Sequence, residues 1–169
     1  MVVVRPTQKA LRKFAQRLPD QAHESTTVLG DWYANLLFVR RARLVLVVNE
    51  RSLLSVLLPA NEFGKFMPRL RTAVERVLAA LGAPPMAVVA ELREMQHSEL
   101  GPTINRRVLG SMNDLAFQVR VRLDDEPETS LDAIELELSK VPFSAIEYRR
   151  PAEVAVGLLS GVSSTGGVH

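Results

Sequence analysis

Four polar residues on one stretch of chain could do chemistry together. Arg106, Ser111, Asn113 and Asp114 fall in the segment Asn105-Arg106-Arg107-Val108-Leu109-Gly110-Ser111-Met112-Asn113-Asp114-Leu115-Ala116-Phe117. At 3.6 residues per turn, Arg106 lies near Asn113 on one helical face and Arg107 near Asp114 on the adjacent face. Arg106 would hold an anion there, and Asp114 would serve as a base or a metal ligand. Gly110 and Ser111 stand mid-helix, where Gly costs about 1 kcal/mol against Ala. A helix that accepts this cost needs the close approach of another backbone or of a ligand. The alternative is bracing. Gly-Ser would pack tightly on a sheet, an Arg107–Asp114 salt bridge would orient the helix, and Asn113 would pair buried backbone groups.

Two further polar groups stand elsewhere. In Asp31-Trp32-Tyr33-Ala34-Asn35 the Asn occupies a strand, where it is disfavoured unless its amide is used. Trp32, the one tryptophan, is either a core anchor with its indole N–H on one acceptor or a stacking platform. Asn49-Glu50-Arg51 reads most simply as hairpin-turn chemistry. Trp32, Asn35, Asn49, Arg106, Ser111, Asn113 and Asp114 together make a candidate binding patch.

Other chemistries are thin. With no cysteine among 169 residues, disulfides, zinc-thiolate sites and thiol nucleophiles are excluded. His23, His97 and His169 lack the spacing of a helical metal pair. A Ser/His/Asp triad could only come from Ser111, His97 and Asp114, and nothing in their spacing recommends it. Asp114 with Glu50 or Asp31 would be the carboxylate pair for a divalent cation. No Gly-rich turn joins a strand to a helix, so no cofactor is expected, and no catalytic or metal residue is assigned. No apolar run approaches the roughly 20 residues of a membrane span. The Met1–Pro6 start lacks the pattern of a signal peptide, so the cytoplasm is the expected compartment.

Charge is unevenly spread. The net charge is +2, but residues 1–76 carry 13 basic against 6 acidic side chains, and residues 77–169 carry 8 against 13. Arg40, Arg41, Arg43 and Arg51, presented together by two hairpin turns, would be the anion or nucleic-acid contacts. The plainer reading is that oppositely charged halves pair inside one domain.

The elements that position these residues are readable. Val2–Val4 is a short strand, and Gln8–Leu18 is a helix that Thr7 can cap. Residues 32–39, 43–48 and 52–58 form a three-strand meander, because short connections favour antiparallel neighbours. Helices are expected over residues 68–81, from Pro84-Pro85 to Met95, over 105–123 and over 130–140, with a short edge strand near 97–101. The expected fold is α+β: a small, largely antiparallel sheet of the meander plus the N-terminal strand, packed with about five helices. Residues 1–150 form the single domain, and 151–169 form a partly disordered C-terminal tail.

The blocks Gly30-Asp31-Trp32-Tyr33-Ala34-Asn35-Leu36-Leu37-Phe38, Val48-Asn49-Glu50-Arg51 and the Asn105–Phe117 segment resemble a family of small uncharacterised bacterial proteins, a domain of unknown function. The resemblance covers roughly residues 1–150 and implies that the polar clusters belong to one shared feature. It supplies no activity. The leading expectation is a cytoplasmic, non-catalytic binding or regulatory module using the polar patch, with a protein or a nucleic acid as partner and no membrane. The apolar meander also offers an edge for a homo-oligomer. The alternatives are a nucleic-acid-binding protein using the basic N-terminal half and a metal-assisted phosphoester hydrolase built on Asp114 and Arg106.

Overall fold

The computed structural model describes residues 1–40 and 42–164. Its elements are β1 (Val2–Pro6), α1 (Gln8–Phe14), β2 (Trp32–Val39), β3 (Ala42–Asn49), β4 (Ser55–Pro59), α2 (Phe66–Ala80), α3 (Pro85–Glu94), β5 (Ser98–Leu100), α4 (Arg106–Asp125), α5 (Leu131–Leu138) and α6 (Pro151–Ser164). Short 3-10 turns occupy Phe63–Lys65 and Ser144–Ile146. The strands form one mixed sheet in the order β4-β3-β2-β1-β5. The fold is α+β.

The meander forms as its spacing predicts, with Trp32 opposite Asn49 and Val48 opposite Ser55. The largely antiparallel expectation needs correction. β1 lies inside the sheet and runs parallel to both its neighbours, β2 and β5. A segment as apolar as Val2–Val4 gains most where both faces are covered, as parallel strands usually are. The long connection through α1 to Trp32 permits the crossover that parallel pairing requires.

Alternation along the strands divides the core in two. Trp32, Ala34, Leu36, Val45, Val47, Val56 and Leu58 face α2 and α3, whose Leu70, Val74, Val77, Leu78 and Val88 cover them. Tyr33, Leu37, Leu44, Leu46, Val48 and Leu57 face α4 and α5, through Val108, Met112, Leu115, Val119, Ile134 and Leu138. Helices therefore lie on both faces of the sheet. Helix α1 is shorter than its apolar spacing suggests, because Ala15 turns left-handed at φ 50°. The described residues hold six α-helices instead of about five.

The sixth is the main surprise at the C-terminus. The expected loose tail from residue 151 is helical through Ser164. Ala155 and Leu159 are buried in one core and Val154 in the other, which outweighs the poor helix propensity of Gly157 and Gly161. Residues 165–169 lie outside the described residues. Among the described residues no helix is long and apolar enough to cross a membrane.

Candidate functional site

Two of the three polar blocks meet, and the N-cap of α4 meets them. Asn49 is fully buried at the end of β3. Its Nδ2 donates to Leu29 O at 2.8 Å and to Asp31 O at 3.2 Å. Its Oδ1 accepts from the backbone N–H of Ser52 at 2.9 Å and from Ser52 Oγ at 2.8 Å. The amide thus locks the turn after β3 to the segment entering β2. The adjacent Glu50 N–H donates to Asp31 O at 2.9 Å. Asp31 accepts from Arg5 Nε and from Ser25 Oγ, each at 2.6 Å, while Arg5 Nη1 donates to Pro102 O at 2.7 Å. Ser25 Oγ also accepts from Val3 N–H, which leaves β1 at the point where β2 has not yet begun. This network is nearly closed to solvent, and the sequence reading missed Arg5 and Ser25. The signal available was an arginine directly after three strand valines.

Tyr33 carries the network to α4. Its phenolic oxygen accepts from the Asn105 N–H at 3.1 Å, and Asn105 Nδ2 donates to Glu50 Oε1 at 3.2 Å. Asn105 Oδ1 caps α4 by accepting from the N–H groups of Arg107 and Val108. Burial raises the Tyr33 pKa, and nearby Glu50 pushes the same way, so the phenol stays protonated at neutral pH. These contacts are bracing, since every named group is satisfied inside the chain.

Trp32 leaves the candidate patch because it is buried, and Asn35 because its side chain is used inside the fold. Trp32 is fully buried on the α2 side, so it cannot serve as a stacking platform, and its indole N–H meets no acceptor among the described residues. Asn35 Oδ1 accepts from Thr7 Oγ1 at 2.8 Å and from the Leu36 N–H at 2.9 Å. Thr7 caps α1, so this amide ties the helix start to β2. No hydrogen bond joins Asn35 to Asn113 or Asp114 among the described residues. Ser111 is buried under α4.

What remains faces outward from α4. The core residues Val108, Met112, Leu115 and Val119 occupy one side of the helix. Arg106, Gly110, Asn113, Asp114 and Phe117 occupy the other, within about 60° of Gly110 at roughly 100° per residue. All five are exposed. Phe117 is 66% exposed, as is Ile104 just before the helix. Arg106, Asn113 and Asp114 have no side-chain partner among the described residues. The expected Arg107–Asp114 bridge does not form, because Arg107 donates instead to Ala145 O at 3.0 Å. Nothing lies within 4 Å of where a Gly110 side chain would begin. The close approach expected at Gly110 is therefore made by no part of the described chain. Phe117 and Ile104 were not singled out in the sequence, although Phe117 stands visibly off the Val108–Val119 core stripe.

The model of the domain-of-unknown-function family DUF6933 matches residues 3–154. The chain belongs to DUF6933. No curated protein and no solved structure matches it. The DUF6933 match takes in the whole sheet, the Asn49 network and all of α4, and it ends inside α6.

The arginines of this DUF6933 chain do not gather. Successive hairpin turns fall at opposite ends of the strand they share, and the eight residues of β3 span about 25 Å. Arg40 and Arg43 therefore lie far from Arg51. Arg40 Nε pairs with Asp124 at 3.2 Å, Arg43 lies 5.3 Å from the Phe38 ring centroid, and Arg51 Nη1 donates to Val28 O at 2.7 Å. Arg41 lies outside the described residues. Nor do the carboxylates converge. Asp31 is committed to Arg5 and Ser25, and Glu50 bonds to Asn105. Among the described residues no three His, Cys, Asp or Glu side chains gather as a metal site would require.

Two carboxylates the sequence did not flag are buried instead. Glu91 accepts from the N–H groups of Val28 and Leu29 at 2.8 and 3.1 Å. Glu135 accepts from the Leu57 N–H at 3.0 Å and pairs with Arg76 at 3.2 Å. Burial raises the pKa of both, against the opposing pull of those N–H groups. A groove of about 680 Å³ runs along the β4 edge over Leu57, Leu58 and Pro59, between α2 and Leu131 and Asp132. Its cations are already matched: Arg76 by Asp132 and Glu135, and Arg69 and Lys65 by Glu62.

Proposed function

We propose that this protein is a non-catalytic binding or regulatory module whose contact surface is the outward face of α4. The observation that supports the reading is the set of unpaired side chains around Gly110. Arg106, Asn113 and Asp114 stand free in the chain, beside an exposed Phe117, at a turn left open by the missing side chain. Exposed polar groups without partners are ordinary singly. Three of them around a mid-helix glycine and an exposed aromatic form a surface suited to a partner. Among the described residues Asp114 forms no ion pair and belongs to no cluster of metal-ligating side chains, which favours recognition over hydrolysis. The dispersed arginines give a nucleic-acid role less support. A bacterial setting belongs to the same proposal and rests on the resemblance to small bacterial proteins, and a cytoplasmic one rests on the cysteine-free composition.

A photoreactive amino acid placed at Asn113 tests the reading, with Glu128 on an exposed loop as the control position. In the native cell, position 113 should give a discrete adduct that position 128 does not. Equal, diffuse labelling at the two positions, or none at 113, would overturn it.

A further inference from the structure

We infer that the partner on this face is a second copy of the chain, with two α4 helices packed antiparallel about a two-fold axis at Gly110. The inference rests on the proposed role of α4 as contact surface and names its occupant. The support lies in the register. In an antiparallel pair centred on Gly110, residues equally spaced either side of it face each other. Arg106 then meets the partner's Asp114, and Asp114 meets the partner's Arg106. Both charges are exposed and unpaired within the chain. Phe117, seven residues beyond the axis, comes near the partner's Ile104, which stands six residues before it and just ahead of the helix, so the two exposed apolar side chains that flank the charges lie close to each other. At the axis two glycines meet, and helices pack closest where side chains are smallest. One face is thus complementary to itself in charge and apolar content.

The placement of Arg106 gives independent support. A helix N-terminus carries partial positive charge, so a cation in the first turn is disfavoured by its own helix. The first turn of α4 holds no acidic residue. Arg107 is occupied by Ala145 O, which leaves Arg106 with a cost and no compensating contact. An antiparallel second copy supplies the missing carboxylate. The competing route to a dimer, strand addition at β4, is obstructed. Glu135 occupies the Leu57 N–H, and the Arg76–Asp132 and Arg76–Glu135 pairs lie over the same edge.

Sedimentation velocity over a concentration series tests the inference. The wild-type chain should approach twice the monomer mass. Arg106→Glu and Asp114→Arg each set like charges opposite one another twice, and each should weaken association by about tenfold. The double swap R106E/D114R restores opposite charges and should bring association back to near the wild-type strength. Gly110→Trp should abolish it by holding the helices apart, with the monomer's melting temperature kept, because the site faces open space. A wild-type monomer at every concentration overturns the inference, as does a dimer indifferent to all four variants, or a double swap no better than either single one. The photoadduct at position 113 separates the two levels of the account. An adduct with a different protein overturns the second copy alone, and the absence of any adduct overturns the contact face itself.

Discussion

Gly110 and Asn49 show two opposite reasons for an unusual residue. Asn49 is needed inside the chain, since its side chain satisfies Leu29 O, Asp31 O and both hydrogen-bonding groups of Ser52. Gly110 is not required by any packing the chain makes. Its helical backbone tolerates a side chain, and nothing stands in the way of one. Gly110→Ala should therefore raise the stability of the dilute monomer by about 1 kcal/mol through helix propensity alone. A lower melting temperature would mean that α4 needs the glycine for its own fold. At this scale the sequence was readable by type and not by neighbour. Trp32 could be read as a core anchor, but the lack of an indole acceptor could not. The roles of Asn35 and Arg107 depend on Thr7 and Ala145, which are distant in sequence, and periodicity carries no information about such partners.

At the scale of elements, the β4 edge illustrates how a strand is closed without another strand. Glu135 on α5 accepts the outward Leu57 N–H, and Arg76 on α2 reaches across to the same carboxylate. Burial raises the Glu135 pKa, so the folded chain holds this proton more readily than the unfolded chain does. Its contribution to stability is then fullest below the ordinary glutamate value of 4.5 and declines as pH rises through the folded value. Glu135→Gln keeps an acceptor for Leu57 and removes the titration. The melting temperature of the wild type relative to E135Q should fall as pH is raised from about 4 toward neutrality. A difference that stays constant, or grows in favour of the wild type, would contradict the buried-carboxylate account. The elements themselves were largely legible. The Val108–Val119 stripe predicts α4 because it repeats at helical spacing, and the runs of strand-forming residues predict β2 and β3. The parallel placement of β1 was not legible, since it is decided by which strands reach it after two long connections. α6 was hidden because Gly157 and Gly161 weaken its local pattern while burial of Ala155 and Leu159 holds it.

At the scale of the whole molecule, part of the uneven charge of the sequence is paired across the fold. Arg40 pairs with Asp124, Arg76 with Asp132 and Glu135, His23 with Glu99, and the N-terminal amine with Glu94. Each of these joins the basic first part of the chain to the acidic second part. On the outward face of α4, Arg106 and Asp114 have no ion-pair partner among the described residues. The polar residues thus divide into a bracing set around Asn49 and the proposed contact set on α4. Thermal melting of Asn49→Ala beside Asn113→Ala, on dilute monomer, tests this division most directly. Asn49→Ala leaves several buried groups unpaired and should cost about 3 kcal/mol, a drop of roughly 6–12 °C for a chain of this size. Asn113→Ala should stay within about 1 °C of the wild type, as an exposed substitution touching nothing does. If Asn113→Ala falls as far as Asn49→Ala, the outward face of α4 is part of the fold's own bracing, and the contact surface proposed here does not exist.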